Sequence, residues 1–210
     1  LFQGDLKSSE NSINSEIVEI FFKENFKDLN IKDFVLSSEN IFSFKINKKL
    51  KFSDIKVESK INLAKFNYEN DYTGLKKIFP NYKNFIELKN HKIKLSYKKN
   101  KLSIDGQGKF SVDNNAENIE YLIKRHNGDL SFESKIVLFK NPILINFLNY
   151  EKAKDKNSLL EFKGIYKKNK TLNFENISFT ESKNNFLITN FSLNEKLKIN
   201  YINRIDLNFF

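Results

Sequence analysis

His91, in the stretch LKNHKIKL, and His126, in KRHNGD, are the two histidines of this chain. Imidazole is the side chain best suited to proton transfer near neutral pH and to holding transition metals. A metal site needs further ligands at short, regular spacing, and a catalytic histidine needs a nucleophile or carboxylate arranged beside it. Neither histidine has such a partner nearby in sequence. His91 opens a strand-like run and His126 falls in a polar turn, so both read as ordinary surface residues. The chain has no Cys, which removes thiolate metal sites, thiol nucleophiles and disulfides together. Acidic residues stand singly on polar strand faces, without the spaced loop that binds calcium. The GQG at Gly106 to Gly108 lacks the later glycine and the strand-to-helix setting of a phosphate loop. The expectation is a protein that is not an enzyme, with no catalytic residue, no metal and no cofactor.

Charge is the next candidate for chemistry. The 210 residues carry 36 Lys and Arg against 26 Asp and Glu, a net charge of +10. Nucleic-acid recognition favours the bidentate guanidinium, and only Arg125 and Arg204 are Arg. The basic residues are also spread over every segment instead of gathering on one. Lys, Asn, Ile and Phe, all with A/T-rich codons, are abundant together. The basic balance therefore follows codon composition, and no nucleic-acid partner is expected.

The elements that would position any site are strands. Apolar residues recur with period two, which marks half-buried strands: Phe42, Phe44 and Ile46 in IFSFKI; Ile93, Leu95 and Tyr97 in KIKLSY; Leu102, Ile104, Phe110 and Val112 in KLSIDGQGKFSV. The pattern continues with Leu130, Phe132, Ile136 and Leu138, then Leu160, Phe162 and Tyr166. Leu172 and Phe174 lead into Ile177 and Phe179, with a one-residue slip at Glu175-Asn176 that reads as a bulge. Phe186 and Ile188 belong to the last regular runs. Gly106 and Gly108 mark a bend or bulge. Short polar connectors rich in Asn and Gly separate the runs, as tight hairpins require. YKKNK occurs at Tyr97 to Lys101 and again at Tyr166 to Lys170, each time between two aliphatic strands, which reads as a repeated hairpin. The predicted fold is all-β: a mainly antiparallel meander forming an elongated, curved sheet or groove. One or two short helices interrupt it, the first in TGLKKIFPNYKNF. Ser15 to Phe26 fits either an amphipathic helix or a strand. A β-sandwich whose halves cover one another is the alternative.

Residues 1–4, LFQG, match the remnant of a rhinovirus 3C protease site and are left out of the predicted fold. That match also predicts an excised piece of a longer protein, with any anchor lying before Asp5. Residues 5–39 have no settled structure, and residues 40–210 form the antiparallel groove.

The stretch LKKIFPNYKNFIELKNHKIKLSYKKNKLSIDGQGKFSV resembles the AsmA-like proteins (the YhdP and TamB relatives) of AT-rich alphaproteobacterial type. So does the cadence Phe162, Gly164, Tyr166, Leu172, Phe174, Asn176, Ile177, Asn184, Asn185, Leu187, Ile188, Phe191 and Leu193. The resemblance spans roughly residues 40–210. It implies a periplasmic segment of a protein anchored in the inner membrane, with a β-groove that carries phospholipid toward the outer membrane. The partner would be a phospholipid or other acyl lipid, and membrane contact would be made by other parts of the parent protein.

Phe42, Phe44, Ile46, Ile93, Leu95, Tyr97, Leu102, Ile104, Phe110, Phe132, Ile136, Phe162, Tyr166, Leu172, Phe174, Phe186 and Ile188 would line the groove. The alternative, for a sandwich, is an extracytoplasmic module that binds a protein or glycan through its loops. Exposed edges at Lys198 to Phe210 also allow strand-edge self-association.

Overall fold

The computed structural model describes residues 1–13, 30–69, 73–146, 149–167, 171–195 and 198–208. Ser15 to Phe26, read as helix or strand, lies outside them. One open, antiparallel sheet dominates. Its first seven strands follow chain order: β1 (Phe2–Ser12), β2 (Asn30–Ile46), β3 (Phe52–Glu69), β4 (Phe85–Lys98), β5 (Lys101–Ser111), β6 (Glu117–His126) and β7 (Asp129–Leu138). Beside β7 lie β10 (Ser158–Tyr166), β11 (Leu172–Glu181), β12 (Asn184–Leu193) and β13 (Ile199–Asn208). The architecture is therefore the expected all-β meander, and the described residues form one dominant sheet, not a sandwich.

Turn chemistry agrees with the reading. Lys99 and Asn100 both take positive φ between the paired Lys98 and Lys101, the geometry whose twist matches a two-residue hairpin. Asn127 and Gly128 do the same between His126 and Asp129. The second YKKNK connection is longer. Tyr166 pairs with Leu172, whereas Tyr97 pairs with Leu102, so the two hairpins share their flanking pairs but not their turn length.

The structure corrects three expectations. Phe2 and Gly4 pair with Phe44 and Phe42, and the rings of Phe2 and Phe44 stack 5.4 Å apart. Residues 2–4 are thus part of the sheet, and the boundary expected at residue 40 falls inside β2. The meander is also interrupted. After β7 the chain leaves the sheet, forms a small pair from β8 (Ile143–Ile145) and β9 (Tyr150–Lys152), and only then returns as β10. Third, the bulge near Gly106 and Gly108 is carried by the neighbouring β4, between Lys89 and Lys92.

Residues facing each other across antiparallel strands project to the same side, and successive residues alternate. Following the register strand by strand sorts the sheet into an apolar and a polar face. Bulges bend a sheet and shift this phase. One shift lies between β10 and β11, where Lys163 faces Asn176 but Gly164 faces Phe174. Without that extra residue, either Phe174 or Ile177 would point to the polar side.

Among the described residues, the buried cluster sits on the apolar face at one end. A one-turn helix, α1 (Thr73–Lys76), and the chain after it bring Phe79 and Tyr82 over the sheet. There they pack with Val112, Ile136, Leu138, Phe179, Phe186 and Ile188, and with Ile143 of β8. The two covering segments are tied together by the Leu144 amide, which donates to the Ile78 carbonyl at 2.8 Å.

Polar groups fix this cover in place. Lys152 is fully buried, and its three ammonium protons are matched by the carbonyls of Phe139, Asn141 and Ala153 at 3.1, 2.8 and 3.1 Å. Burial still lowers its pKa from the ordinary lysine value. Glu117, also buried, accepts from the amides of Lys140 and Asn141 and from the Asn141 side chain. Tyr150 donates to the buried carboxylate of Glu181, whose pKa is raised by loss of solvent.

Candidate functional site: an apolar face with a basic rim

All the residues expected to line the groove share one face of the sheet. They divide into two zones. Ile136, Phe186 and Ile188 belong to the sealed core under the cover, and Phe110 and Phe162 pack against its margin. For the first three this is a correction: they hold the cover down and offer no free wall. Phe42, Phe44, Ile46, Ile93, Leu95, Tyr97, Leu102, Ile104, Phe132, Tyr166, Leu172 and Phe174 lie outside the core cluster and its margin. Most are half-buried by their neighbours, and Tyr166 is exposed.

The zone that no described residue covers is organised in rows that cross the strands. Leu95 faces Ile104, Ile104 faces Ile123, and Ile123 faces Phe132. Phe132 faces Gly164, which faces Phe174, then Phe191 and Ile202. This row spans eight strands, about 34 Å at the usual spacing of about 4.8 Å per strand. Aromatic rings dominate its second half. Phe132 meets Phe174 edge-on at 5.6 Å, and Phe174 stacks on Phe191 at 5.6 Å. Gly164 makes this possible, because a Cβ there would lie 2.7 Å from the Phe132 ring and closer still to the Asn173 carbonyl.

The adjoining row, nearer the hairpin turns, runs Phe42, Val57, Tyr97, Leu102, Arg125, Leu130, Tyr166, Leu172 and Leu193. Arg125 is the one charged member. Its register partners are Leu102 and Leu130, and it is exposed.

Sequence reasoning missed several members of the apolar face. Val57, Ile61 and Leu63 alternate on β3, but the register slips where Val35 faces Lys65 and Leu36 faces Leu63. Phe66 and Tyr68 then continue the apolar face in shifted phase, which hides a single long strand. Ile119, Tyr121 and Ile123 on β6 alternate cleanly and were legible in principle.

His91 is a further correction. It is buried, only 1 % exposed, on the apolar face. Its Nε2 donates to the Lys109 carbonyl at 2.9 Å, and its Nδ1 lies 3.2 Å from the Tyr121 hydroxyl, which donates to it. Because Nε2 faces a carbonyl, the neutral ring carries its proton there, leaving Nδ1 as acceptor. Gly106 and Gly108 are the floor beneath this pair: a Cβ at either would collide with the Tyr121 or His91 ring. Burial lowers the His91 pKa, and burial with the nearby Asp105 charge pushes the Tyr121 hydroxyl up to about 12. His126 is exposed, as expected.

The opposite face is polar and laced with exposed ion pairs such as Lys65–Asp33 at 2.7 Å and Lys163–Glu175 at 2.8 Å. Pairs so exposed add little stability. Two depressions, of about 590 and 420 Å³, lie chiefly on this side, among Lys60, Lys94 and Asp105 and among Glu133, Lys135 and Glu161. Among the described residues no group of three metal-ligating side chains forms, and no helix is long and apolar enough to cross a membrane.

No protein-family model, curated protein or solved structure matches this chain.

Proposed function

We propose that this chain is a segment of a non-enzymatic lipid conduit, in which phospholipid acyl chains lie on the part of the apolar face that no described residue covers. The observation that carries this reading is the row from Leu95 to Ile202. It offers apolar contact across eight strands, and Leu95, Ile104, Ile123, Phe132 and Phe174 lie outside the sealed core. Its length of about 34 Å exceeds the reach of one leaflet's acyl region, about half of a 30 Å hydrocarbon core. Each CH₂ removed from water there contributes about 0.8 kcal/mol. The aromatic rings suit the role because their contacts are broad and non-directional.

A track of this kind needs no covalent step. It holds chains by burial while head groups remain in water beside it, and its strand-to-strand continuity lets a chain slide without crossing a charged barrier. The resemblance to AsmA-like proteins points the same way and adds a setting: the periplasm, within a protein anchored in the inner membrane and serving the outer membrane.

Native mass spectrometry of the protein purified without detergent tests the reading. Adducts with the masses of diacyl phospholipids are expected. Protein that carries none, and takes none up from added phospholipid, would overturn it.

A further inference from the structure

The hairpin turns beside these rows carry an uneven charge. Lys48, Lys49 and Lys51 surround the β2–β3 turn, and Lys98, Lys99 and Lys101 surround the β4–β5 turn; all are exposed. No ion pair forms at any of these six among the described residues. Asp54, close by, is taken up by Lys45 at 2.6 Å. Further along the same rim stand Lys124 and Arg125 before the β6–β7 turn, with Lys167 and Lys198 beyond, all exposed.

Arg125 differs from the lysines in position. The lysines occupy the turns or the polar face, whereas Arg125 belongs to the apolar row, between Leu102 and Leu130. Its stem can lie along these leucines while the guanidinium stays in water. No described carboxylate pairs with it. A planar, five-donor cation at the margin of an apolar track matches a phosphate oxygen pair bidentately.

We propose that Arg125, supported by the basic rim, selects anionic glycerophospholipids by holding the head-group phosphate at the turn-side edge of the apolar face. This rests on the lipid-conduit reading and adds a head-group preference to it. The acyl chains enter the row of Leu95, Ile104, Ile123 and Phe132, one strand-pair step inward. The phosphate diester stays at the level of Arg125, where the rim field disfavours a head group carrying its own cation.

The test uses two short-chain lipids with identical tails, dioctanoyl phosphatidylglycerol and dioctanoyl phosphatidylcholine, titrated onto the purified protein and followed by native mass spectrometry. The parent should bind the glycerol lipid about tenfold more tightly, because the choline cation offsets the attraction that Arg125 and the rim exert on the shared phosphate. Arg125→Gln should weaken binding of both lipids, because both carry the phosphate diester, and of the glycerol lipid more, bringing the two affinities within about twofold. Arg204→Gln is the control, since Arg204 lies on the polar face paired with Asp206 at 2.8 Å, and it should keep the parental preference. Equal binding of both lipids by the parent, or an unchanged preference in Arg125→Gln, overturns the head-group assignment and leaves the conduit standing. Failure to bind either lipid overturns both. Inorganic phosphate forms a third arm: if it displaces the glycerol lipid at equal concentration, the site is a free-anion site and the proposal fails.

Discussion

His91 and Tyr121 meet across β5 on the apolar face, imidazole Nδ1 to phenol oxygen at 3.2 Å, over two glycines that leave room for both rings. They form a polar pair within an apolar wall, satisfied because the Lys109 carbonyl takes the other ring proton. The neutral imidazole fits this arrangement, and burial away from water disfavours the imidazolium.

Stability should therefore fall with acid in a way that depends on His91. Its folded pKa is below the ordinary 6.5 because the ring is desolvated. Above that value both folded and unfolded states are neutral and the histidine is silent. As pH falls below it the unfolded chain takes up a proton first, and stability is lost at up to about 1.4 kcal/mol per unit until the folded pKa is reached. Urea midpoints measured from pH 7.5 to 5 should drop more steeply for the parent than for His91→Gln. Parallel slopes would show that the ring is not held neutral.

Gly164→Ala should cost about 1–3 kcal/mol, because the new methyl meets a backbone carbonyl that cannot turn aside. It should also disturb the neighbouring aromatic row, since Phe132 rests over this glycine. A urea midpoint equal to the parent's would mean that the strands separate freely at this point.

Lys152→Met keeps the length of the side chain but leaves three carbonyls without their donor, the one on Asn141 buried. A loss of about 1–3 kcal/mol is expected. Limited proteolysis should then begin between Phe139 and Asn157, where the chain leaves the sheet. Cleavage elsewhere first would contradict the anchoring role given to this ammonium.

The two zones of the apolar face should answer differently to charge. Phe132→Asp and Phe174→Asp leave a carboxylate that water can reach, so a loss near 1–2 kcal/mol is expected. Phe186→Asp buries the carboxylate under the cover, at a cost of several kcal/mol, a large part of a domain's whole stability. Urea midpoints decide this, and binding of a fluorescent phospholipid decides function. Folded Phe132→Asp protein that still binds lipid normally would sink the conduit reading.

Much of this architecture was written in short stretches. Leu102 and Ile104, and Leu130 and Phe132, recur at every second residue and so determined strand and face, because side chains on a strand alternate whatever the strand lies beside. Lys99-Asn100 and Asn127-Gly128 determined the hairpins, because few residues accept positive φ. The slip at Glu175-Asn176 told of a bulge through phase alone. Tertiary structure decided what covers the face. Ile143 and Ile188 carry equally apolar side chains, yet one lies in a small pair outside the main sheet and the other within it. Lys152 looks like any surface lysine until three carbonyls converge on it, and His91 like any polar residue until the bulge at Asn90 turns it over Gly108. Pairing and burial are set by residues tens of positions apart, so no local pattern holds them. The sequence alone determined a sheet with one apolar face; only the folded chain decided which end of that face is sealed.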